Sequence, residues 1–451
     1  MNDMEKLKAE VREKGLKYHI ITYGCQMNMH ESEKIAGILE SIGYMPADSK
    51  EDADFILFNT CCVRENAEQK TFGNVGRIKK LKQANKELLV SVCGCMMQQE
   101  SAAKKLMETF PFVDIVFGTH NLYELPEMIL ACKSGTGRIY SAPETEELHD
   151  DVPQKRAEGP LASVNIMYGC NNFCSYCIVP YVRGRERSRS AEDVISEVSG
   201  LVSAGYREVM LLGQNVNSYD GGINFARLLG RICEETDIPR IRFMTSHPKD
   251  LSDELIEVVA AYPQICRHIH LPVQSGSSRI LQEMNRKYTR ETYISLVKKI
   301  RRKIPGIAVT TDIIVGFPGE TEADFEDTLS LVGELRFDSA FTFVYSPRSG
   351  TRAAEMPDQV EEAVQTERIM KLVALQNKIT EERNREYEGK TVEVLVEGTS
   401  TRNPGHVCGR TSTSKMVNFE GSGALIGSFV NVKITQGKKT TLFGTLAEEE
   451  T

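Results

Sequence analysis

The sequence predicts an α/β protein in three parts: an open parallel-sheet domain, a partial (β/α) barrel and a small all-β barrel. In residues 16–134 and 160–387, short apolar segments alternate with helical segments, which is typical of parallel sheets covered by helices. Residues 388–451 instead contain five short strand-like segments, the pattern of a small closed barrel. A polar, acidic segment at 135–159 is interpreted as a linker.

Each part has its own series of predicted elements. In the first part we predict strands at Tyr18–Thr22, Phe55–Phe58, Leu88–Val92 and Val113–Phe117. In the second we predict them at Val164–Met167, Glu208–Leu212, Ile241–Met244, His268–Leu271, Ala308–Val315 and Ala340–Val344. Roughly six β/α units would make a full or partial barrel whose functional face lies at the carboxyl ends of its strands. Residues up to Glu13 are expected to be a frayed lead-in.

The composition limits the class of protein. The 451 residues are 41% hydrophobic and 26% charged, as in a soluble protein of several domains. No apolar run approaches the ~18 residues of a membrane span, and the start resembles no export signal, so we expect a cytoplasmic protein. Twelve cysteines in such a protein indicate reduced thiols and metal rather than disulfides. A net charge of −8 argues against a protein that coats nucleic acid non-specifically.

Three cysteines in the spacing C-x3-C-x2-C follow the first strand of the second part. We call Cys170, Cys174 and Cys177 the loop cysteines. The loop supplies no fourth cysteine and no histidine, so it cannot build a closed tetrahedral zinc site alone. In a 4Fe-4S cluster, three thiolates leave one iron free to bind a small molecule. A zinc knuckle completed by a distant residue and three core cysteines are the alternatives.

Three more cysteines each fall just past the end of a predicted strand in the first part. We call Cys25, Cys61 and Cys95 the sheet-edge cysteines. Loops beyond the carboxyl ends of parallel strands line one crevice, so thiols 36 and 34 residues apart are expected to meet there. They would form a second site with an open position. Cys62 and Cys93 are rival ligands by position, and burial of the thiols as small apolar groups is the alternative.

Arginines near the loop cysteines are candidates for contacts to phosphate. Four lie within seven residues: Arg183, Arg185, Arg187 and Arg189. Guanidinium groups at this density match phosphate geometry, while a structural, ion-paired loop is the alternative. In the C-terminal barrel, RNA binding would depend on Arg410, Lys415 and exposed loops, with a dimerisation or lid domain as the alternative.

The cysteine motifs together resemble the radical S-adenosylmethionine (SAM) methylthiotransferase family. They are Thr22-Tyr23-Gly24-Cys25-Gln26-Met27-Asn28, Asn59-Thr60-Cys61, Gly94-Cys95-Met96 and Gly169 to Cys177. The resemblance covers nearly the whole chain and implies a methylthiotransferase domain, a radical SAM barrel and a C-terminal barrel of the TRAM type. Four further segments are similar to the branch that modifies tRNA: Tyr181 to Arg189, Thr245 to Pro248, Ser346 to Thr351 and Gly409 to Thr411.

The resemblance implies two 4Fe-4S clusters and SAM as cofactors. The loop cysteines would hold the cluster that cleaves SAM, the sheet-edge cysteines would hold an auxiliary cluster, and Tyr176 would pack by the SAM adenine. Other SAM contacts are expected from polar and glycine residues at the ends of barrel strands: Gly213, Gln214, Gln274, Ser275 and Asp312. Glu320 stands one place later than the glutamate of the superfamily pattern and is not assigned.

The implied activity is the addition of a methylthio group to C2 of N6-dimethylallyl(isopentenyl)adenosine next to the anticodon in tRNA. One SAM would methylate a sulfur on the auxiliary cluster, and a second would give the radical that the unactivated C2–H bond requires. Other branches act on threonylcarbamoyladenosine in tRNA or on an aspartate of a ribosomal protein. Outside the enzymes, the alternative is an iron-sulfur RNA-binding protein.

The expected partners follow from that activity. They are the tRNA anticodon stem-loop, SAM, an electron donor, and a donor of sulfur or of clusters. No membrane is expected among the partners, and we expect the chain to act as a monomer.

Overall fold

The computed structural model describes residues 2–62, 65–145, 147, 152–401 and 403–447. Parts of the predicted linker and of the C-terminal segment, at 146, 148–151 and 448–451, lie outside these residues. The chain divides into two compact units. The first comprises Met1–Ala157, Tyr168–Asn171 and Ile178–Arg187, and the second comprises Glu158–Met167, Asn172–Cys177 and Ser188–Thr451.

The first unit is built on a parallel sheet in the order β2-β1-β3-β4-β5-β6. Its elements are α1 (Asp3–Glu13), β1 (Lys17–Thr22), α2 (Gln26–Ser41), β2 (Met45–Pro46), β3 (Phe55–Thr60), α3 (Glu65–Ala84), β4 (Leu89–Gly94), α4 (Glu100–Thr109), β5 (Ile115–Phe117), α5 (Leu125–Lys133) and β6 (Ile139–Ser141). The four predicted strands correspond to β1, β3, β4 and β5. The central strands β3 and β4 are buried along their whole length, as in sheets covered on both faces.

The expectation of a frayed lead-in before Glu13 is wrong. Residues Asp3–Glu13 form α1, which begins at an Asn2–Glu5 capping box. Leu7 and Val11, one helical turn apart, are buried in the core of the first unit. An apolar pair at this spacing places both side chains on one face of a helix, and its burial stabilises a segment that composition alone marks as polar.

Both edge strands of the sheet were absent from the sequence prediction. β2 is two residues long, and β6 pairs in parallel with β5 inside the stretch that was interpreted as a linker. Neither has the continuous apolar run that reveals β3 or β4, because an edge strand is bonded on one side only and is partly exposed.

The second unit contains two three-stranded parallel sheets, β7-β10-β11 and β12-β13-β14. The elements from residue 161 onward are β7 (Leu161–Asn165), β8 (Met167–Tyr168), α6 (Val179–Arg183), β9 (Arg187–Ser188), α7 (Ala191–Ser203), β10 (Glu208–Leu212), α8 (Phe225–Glu235), β11 (Arg240–Phe243), α9 (Asp253–Ala261), β12 (His268–His270), α10 (Ser278–Glu283), α11 (Arg290–Lys303), β13 (Ala308–Val315), α12 (Glu322–Leu335), β14 (Ser339–Val344) and α13 (Glu362–Arg385). A parallel bridge between Ile241 and Ile265 connects the two sheets. The six strands thus form the predicted partial barrel.

Side chains alternate between the two faces of these strands. On β13, Val309, Ile313 and Val315 are fully buried in the core that includes Val297 of α11 and Phe325 of α12. Thr310, Asp312 and Ile314, on the opposite face, are only partly buried. The helices therefore cover the outer face, and the other face lines the lumen of the partial barrel.

The C-terminal residues form the predicted small barrel. Its strands are β15 (Thr391–Thr399), β16 (His406–Arg410), β17 (Met416–Glu420), β18 (Phe429–Gly437) and β19 (Leu442–Leu446). They close in the order β15-β16-β17-β19-β18 around an apolar core that includes Val394, Val417, Phe419 and Ile434.

The C-terminal barrel covers the amino ends of the partial-barrel strands. Arg240 donates to the carbonyl of Arg410 at 2.9 Å and to the carboxylate of Glu393 at 2.8 Å. Arg242 donates to the carbonyl of Thr411 at 3.2 Å. Both guanidinium groups are buried, so the lumen is closed at this end by charged groups with defined partners. No helix in the described part of the chain has the length and apolarity of a membrane span.

Candidate functional site

Each sheet-edge cysteine follows the carboxyl end of a strand, as predicted from the sequence. They follow β1, β3 and β4, which are neighbours in the sheet, so their loops emerge side by side at its carboxyl edge. Cys25 is the N-cap residue of α2 and is exposed, while Cys61 and Cys95 are buried. The position of Cys25 brings the partial positive charge of a helix start to a thiol.

Glycines allow these loops to approach closely. Gly24 has φ +120°, and a Cβ atom added there would lie 2.6 Å from Cβ of Cys61 and 3.0 Å from its Sγ. Gly94 has φ +96°, and an added Cβ would lie 2.4 Å from the carbonyl oxygen of Thr60. Only glycine tolerates both this conformation and this contact, so the Gly-Cys order in two of the motifs has a steric cause.

A buried amide network fixes the three loops. The side-chain nitrogen of Asn28 donates to Oδ1 of Asn59 at 3.1 Å and to the carbonyl of Thr60 at 2.9 Å. Asn59 in turn donates to the carbonyl of Asn28 at 2.8 Å. Cys25 Sγ lies 3.2 Å from Oδ1 of Asn28, and the Cys95 amide donates to the carbonyl of Thr60 at 3.1 Å. Both asparagines stand in the quoted motifs, but their spacing alone did not reveal this role.

Arg183 brings a positive charge to the same place. Its Nη1 and Nη2 donate to the two carboxylate oxygens of Glu31 at 2.6 and 3.2 Å, and its Nε donates to Cys95 Sγ at 3.1 Å. Burial disfavours the charged guanidinium, but the negative charges of Cys95 and Glu31 outweigh it and raise the pKa of Arg183. The cation is therefore permanent at neutral pH, and it favours a thiolate at Cys95.

The neighbouring cysteines differ from the sheet-edge cysteines. A hydrogen bond from the thiol of Cys62 lowers the pKa of Cys95, and the same bond raises the pKa of Cys62. Cys93 lies inside β4, where burial raises the pKa of its thiol. Since the thiolate is the metal ligand, these environments favour Cys95 over Cys62 and Cys93.

The loop cysteines are divided between the units. In the first unit, the Cys170 amide donates to the carbonyl of Gly184 at 3.2 Å. In the second, the Cys177 amide donates to the carbonyl of Cys174 at 2.9 Å. The buried Arg286 donates to Cys174 Sγ at 3.3 Å. A cation beside a cysteine is thus common to both groups, and no sequence pattern had marked Arg286.

The candidate ligands at both sites are cysteine thiols. Among the described residues, no three Cys, His, Asp or Glu side chains are grouped so that they could hold one metal ion. All twelve cysteines are free thiols. A 4Fe-4S cluster has a different requirement, because each thiolate binds a different iron. The sheet-edge cysteines could meet it, since they come from three adjacent loops beside a buried cation.

The candidate SAM contacts occupy the carboxyl ends of the partial-barrel strands. Tyr176 is half-buried against a cluster that includes Phe317 and Tyr345. Gly213 directly follows β10, and a Cβ added there would lie 2.5 Å from Met167 Cγ; half-buried Gln214 comes next. These positions agree with the predicted functional face.

The remaining SAM candidates have partners within the fold. Gln274 has φ +71° and its amide donates to the carbonyl of Asp312 at 2.8 Å. Ser275 is fully buried, and its hydroxyl accepts from the Ser277 amide at 3.2 Å. Asp312 is partly exposed in the lumen, 3.4 Å from Nε2 of His270. Of these three, Asp312 has the side chain best placed to meet a ligand.

The arginine run is largely an internal structure. Arg183 is buried, so the ion-paired alternative holds there and the side chain is not available for a phosphate contact. Arg187 donates to the carbonyl of Thr145 at 2.5 Å, and Arg189 pairs with Glu197 at 2.5 Å. Arg185 is exposed. These carbonyl and carboxylate partners could not be predicted from local sequence.

The two basic candidates of the C-terminal barrel also differ. Lys415 is buried, with its Nζ 3.3 Å from Oδ1 of Asp338, so the expected RNA contact from this residue is wrong. Arg410 pairs with Glu397, yet its side chain keeps 41% of its surface exposed. Of the two, Arg410 remains available to a partner.

Three family models match the chain in the order of its parts. Residues 17–118 match a family described as uncharacterized protein family UPF0004, residues 164–332 match the radical SAM superfamily, and residues 385–447 match the TRAM domain. Together with the partial barrel and the two groups of cysteines, these matches define a radical SAM enzyme.

Curated relatives specify the kind of radical SAM enzyme. Three of them are named tRNA-2-methylthio-N(6)-dimethylallyladenosine synthase. The relative from Thermoanaerobacter pseudethanolicus is 52% identical over 99% of this chain and 96% of its own. Those from Carboxydothermus hydrogenoformans and Desulforamulus reducens are 55% and 53% identical, each over 95% of this chain and over 99% and 94% of their own.

At this identity over nearly the full length, the chain belongs to the tRNA-2-methylthio-N(6)-dimethylallyladenosine synthase family. The membership confirms the predicted enzyme class, a tRNA methylthiotransferase. It also confirms the predicted cofactors, SAM and 4Fe-4S clusters.

Solved structures confirm the fold class. The radical SAM methyltransferase TsrM from Kitasatospora setae, with cobalamin and a [4Fe-4S] cluster bound, matches with a TM-score of 0.56 at 16% identity, over 75% of this chain and 77% of its own. The cobalamin-dependent SAM radical enzyme OxsB matches with a TM-score of 0.53 at 13% identity, over 80% of this chain and 56% of its own. At such low identity the likeness concerns the fold alone.

Proposed function

We propose that this chain adds a methylthio group to C2 of N6-dimethylallyladenosine next to the anticodon of tRNA. The observation that carries the proposal is that the loops of Cys25, Cys61 and Cys95 emerge side by side at one sheet edge, where Arg183 donates to Cys95. The same chain also has the C-x3-C-x2-C loop. An enzyme that only generates a radical has no need of a second group of thiols. A methylthiotransferase needs one to hold the sulfur that it transfers.

We assign separate roles to the two groups of cysteines. The loop cysteines hold the cluster that binds SAM, and the sheet-edge cysteines hold the auxiliary cluster. When bound, these groups supply the radical and the methylated sulfur that an unactivated C–H bond requires. Arg183 and Arg286 place positive charge beside Cys95 and Cys174, and the Asn28–Asn59 network fixes the loops of the sheet-edge cysteines.

The substrate contacts are part of the same proposal. Arg185 and Arg410, whose side chains are exposed, contact phosphates of the anticodon stem-loop. The target base must leave its stack to reach the lumen, as single-stranded RNA bases do when they are recognised. Gly213 and Gln214, which follow β10, contribute to the SAM site, and Asp312 contributes to it from the middle of β13.

Further partners follow from the chemistry. The enzyme takes an electron from a reduced protein donor, and it takes sulfur or assembled clusters from a second donor, because each turnover consumes one sulfur atom. It acts as a monomer and works in the cytosol, where its tRNA substrate is found.

The test uses the anaerobically reconstituted enzyme with reductant, SAM and synthetic anticodon stem-loops. Prenylated RNA should become methylthiolated, whereas RNA carrying threonylcarbamoyladenosine or unmodified adenosine should not. Absence of 5′-deoxyadenosine would leave only the iron-sulfur RNA-binding alternative. Cys174→Ala should abolish SAM cleavage. Cys25→Ala should cleave SAM without forming product, and normal product from it would exclude the second group of ligands.

A further inference from the structure

Two large aromatic side chains of β14 are exposed in the lumen of the partial barrel. Phe341 has 52% and Phe343 has 41% of its surface exposed. In contrast, Phe243, Phe317 and Phe325 of the same unit are fully buried. Exposure of a phenylalanine ring to water is unfavourable, so two neighbouring exposed rings in a concave site indicate that a ligand covers them.

The strand register shows which face these rings occupy. Phe341 is opposite Asp312 and Phe343 is opposite Ile314 in the β13–β14 ladder. The ring of Phe341 also contacts the ring of His270, with centroids 5.9 Å apart in an edge arrangement. Val309 and Ile313 of β13 point the other way, into the core beneath the helices. The two phenylalanines therefore belong to the lumen and not to the outer surface.

The same register shows how deep Phe341 and Phe343 lie below the loop that carries the loop cysteines. Ile314 packs in the cluster that also contains Tyr176, the residue before Cys177. The loop is fixed there by its backbone, because the Ala353 amide donates to the carbonyl of Ser175 at 2.8 Å. Phe343, paired with Ile314, lies one layer inside the lumen, and Phe341 lies about 7 Å deeper.

The wall beside the rings is polar. Nε2 of His268 and Nδ1 of His270 lie 2.9 and 3.0 Å from the hydroxyl of Thr310, and Nε2 of His270 lies 3.4 Å from Asp312. This hydrogen-bonded row extends along β12 and β13 and reaches Asp312 at the level of Phe341. A ligand in the lumen therefore meets aromatic surface on one side and hydrogen-bonding groups on the other.

We infer that Phe341 and Phe343 form the pocket for the prenylated base of the substrate, with Phe341 in contact with its apolar N6 substituent. The inference rests on the proposed function and names the residues that distinguish prenylated from unprenylated tRNA. A purine stacks on an aromatic ring and its polar edge needs hydrogen-bond partners, while a branched apolar chain needs apolar surface. The two rings supply the apolar surface, and Asp312 and His270 lie beside them as hydrogen-bond partners. SAM carries no apolar substituent of this kind.

The test measures binding as well as turnover. The reconstituted enzyme is titrated with fluorescent anticodon stem-loops that differ only in the prenyl group, and SAM affinity is measured separately. Phe341→Ala should lose roughly 10-fold or more in affinity for the prenylated RNA, because the apolar substituent loses the ring that covers it. Affinity for the unprenylated RNA should stay within about 3-fold, so the selectivity ratio falls. Phe341→Leu, which keeps apolar surface, should retain more of the ratio than Phe341→Ala.

Controls separate this inference from the proposed function. Met370→Ala, which removes an exposed apolar side chain from α13, should change neither the ratio nor SAM affinity. An unchanged ratio in Phe341→Ala, or a loss confined to SAM, would overturn the inference while wild-type activity on prenylated RNA still stands. Failure of the wild-type enzyme to methylthiolate prenylated RNA would instead refute the proposed function.

Discussion

Arg183 bonds both carboxylate oxygens of Glu31, at 2.6 and 3.2 Å, and at the same time donates to the sulfur of Cys95 at 3.1 Å. The two charged side chains are almost fully buried, with 5% and 6% of their surface exposed. A buried pair of this kind adds little net stability, but removing one partner leaves the other charge without compensation.

Arg183→Ala should therefore destabilise the first unit by about 3–5 kcal/mol, because Glu31 remains buried as an unpaired charge. The free energy of unfolding from urea titration, measured without metal, reports the loss directly. Arg185→Ala, two residues away and exposed, is the matched control and should stay within about 0.5 kcal/mol. Equal losses in the two variants would contradict the role assigned to the buried pair.

The iron content of cysteine variants should distinguish the cluster ligands from the neighbouring cysteine Cys93. The reconstituted wild-type enzyme should contain about eight irons per chain, and Cys25→Ala, Cys61→Ala and Cys95→Ala should each approach four. Cys93→Ala should keep about eight, because that thiol is held protonated inside β4. Paired iron and sulfide assays are the measurement. A Cys93→Ala enzyme with only four irons would move the ligand assignment to that residue.

The contact between the partial barrel and the C-terminal barrel should depend on Arg242. Its Nη2 donates to the carbonyl of Thr411 in the C-terminal barrel at 3.2 Å. Its Nε donates to Glu208 of β10 at 2.8 Å, and the side chains of Arg242 and Glu208 are both buried. Arg242→Ala should cost about 3 kcal/mol or more in the free energy of unfolding. Arg231 also pairs with two carboxylates, Glu192 and Glu235, but at the surface, so Arg231→Ala should cost less than about 1 kcal/mol. Similar losses of unfolding free energy in Arg242→Ala and Arg231→Ala would show that burial does not determine the contribution of Arg242.

His247 should make stability depend on pH. Burial, together with Arg286 and Lys249, lowers the pKa of His247 to about 2. The folded state keeps this ring neutral, while the unfolded chain takes up a proton below about pH 6.5, so stability is complete above that pH and falls as pH decreases. Between about pH 8 and about pH 5, His247 should lower the free energy of unfolding by about 2 kcal/mol.

His247→Asn keeps an acceptor for the Lys249 amide but does not titrate. Urea titrations at the two pH values should show a loss smaller by about 2 kcal/mol in this variant than in the wild type. An identical loss in both proteins would assign the pH dependence to other groups.

Much of the fold was predictable because apolar periodicity follows the buried face of each element. The interior strands β3 and β4, the helix α11 and the closed C-terminal barrel all carry that signal. Helix α1 was missed because only two of its residues, Leu7 and Val11, are buried. Strand β6 was missed because it is short and partly exposed at an edge of the sheet.

The functional site, like the fold, could be predicted from the sequence only in part. Topology brings the carboxyl ends of neighbouring parallel strands together, so the common sheet edge of the loops that carry Cys25, Cys61 and Cys95 could be predicted from their positions. The partners of Arg183 and Lys415 could not, because Glu31 and Asp338 are 152 and 77 residues away in the sequence. A basic residue beside a motif looks the same in sequence whether it faces solvent or a buried carboxylate.

The interleaved order of the two units has a consequence for synthesis. Residues 178–187 belong to the first unit and carry the counter-charge of Glu31. During synthesis, Glu31 therefore lacks its cationic partner until residue 183 has emerged from the ribosome. This happens well after β6, the last strand of the sheet, has been made. A gene fragment that stops at residue 157 would encode a sheet without its buried cation, so the N-terminal half is a poor module for transplantation into another protein.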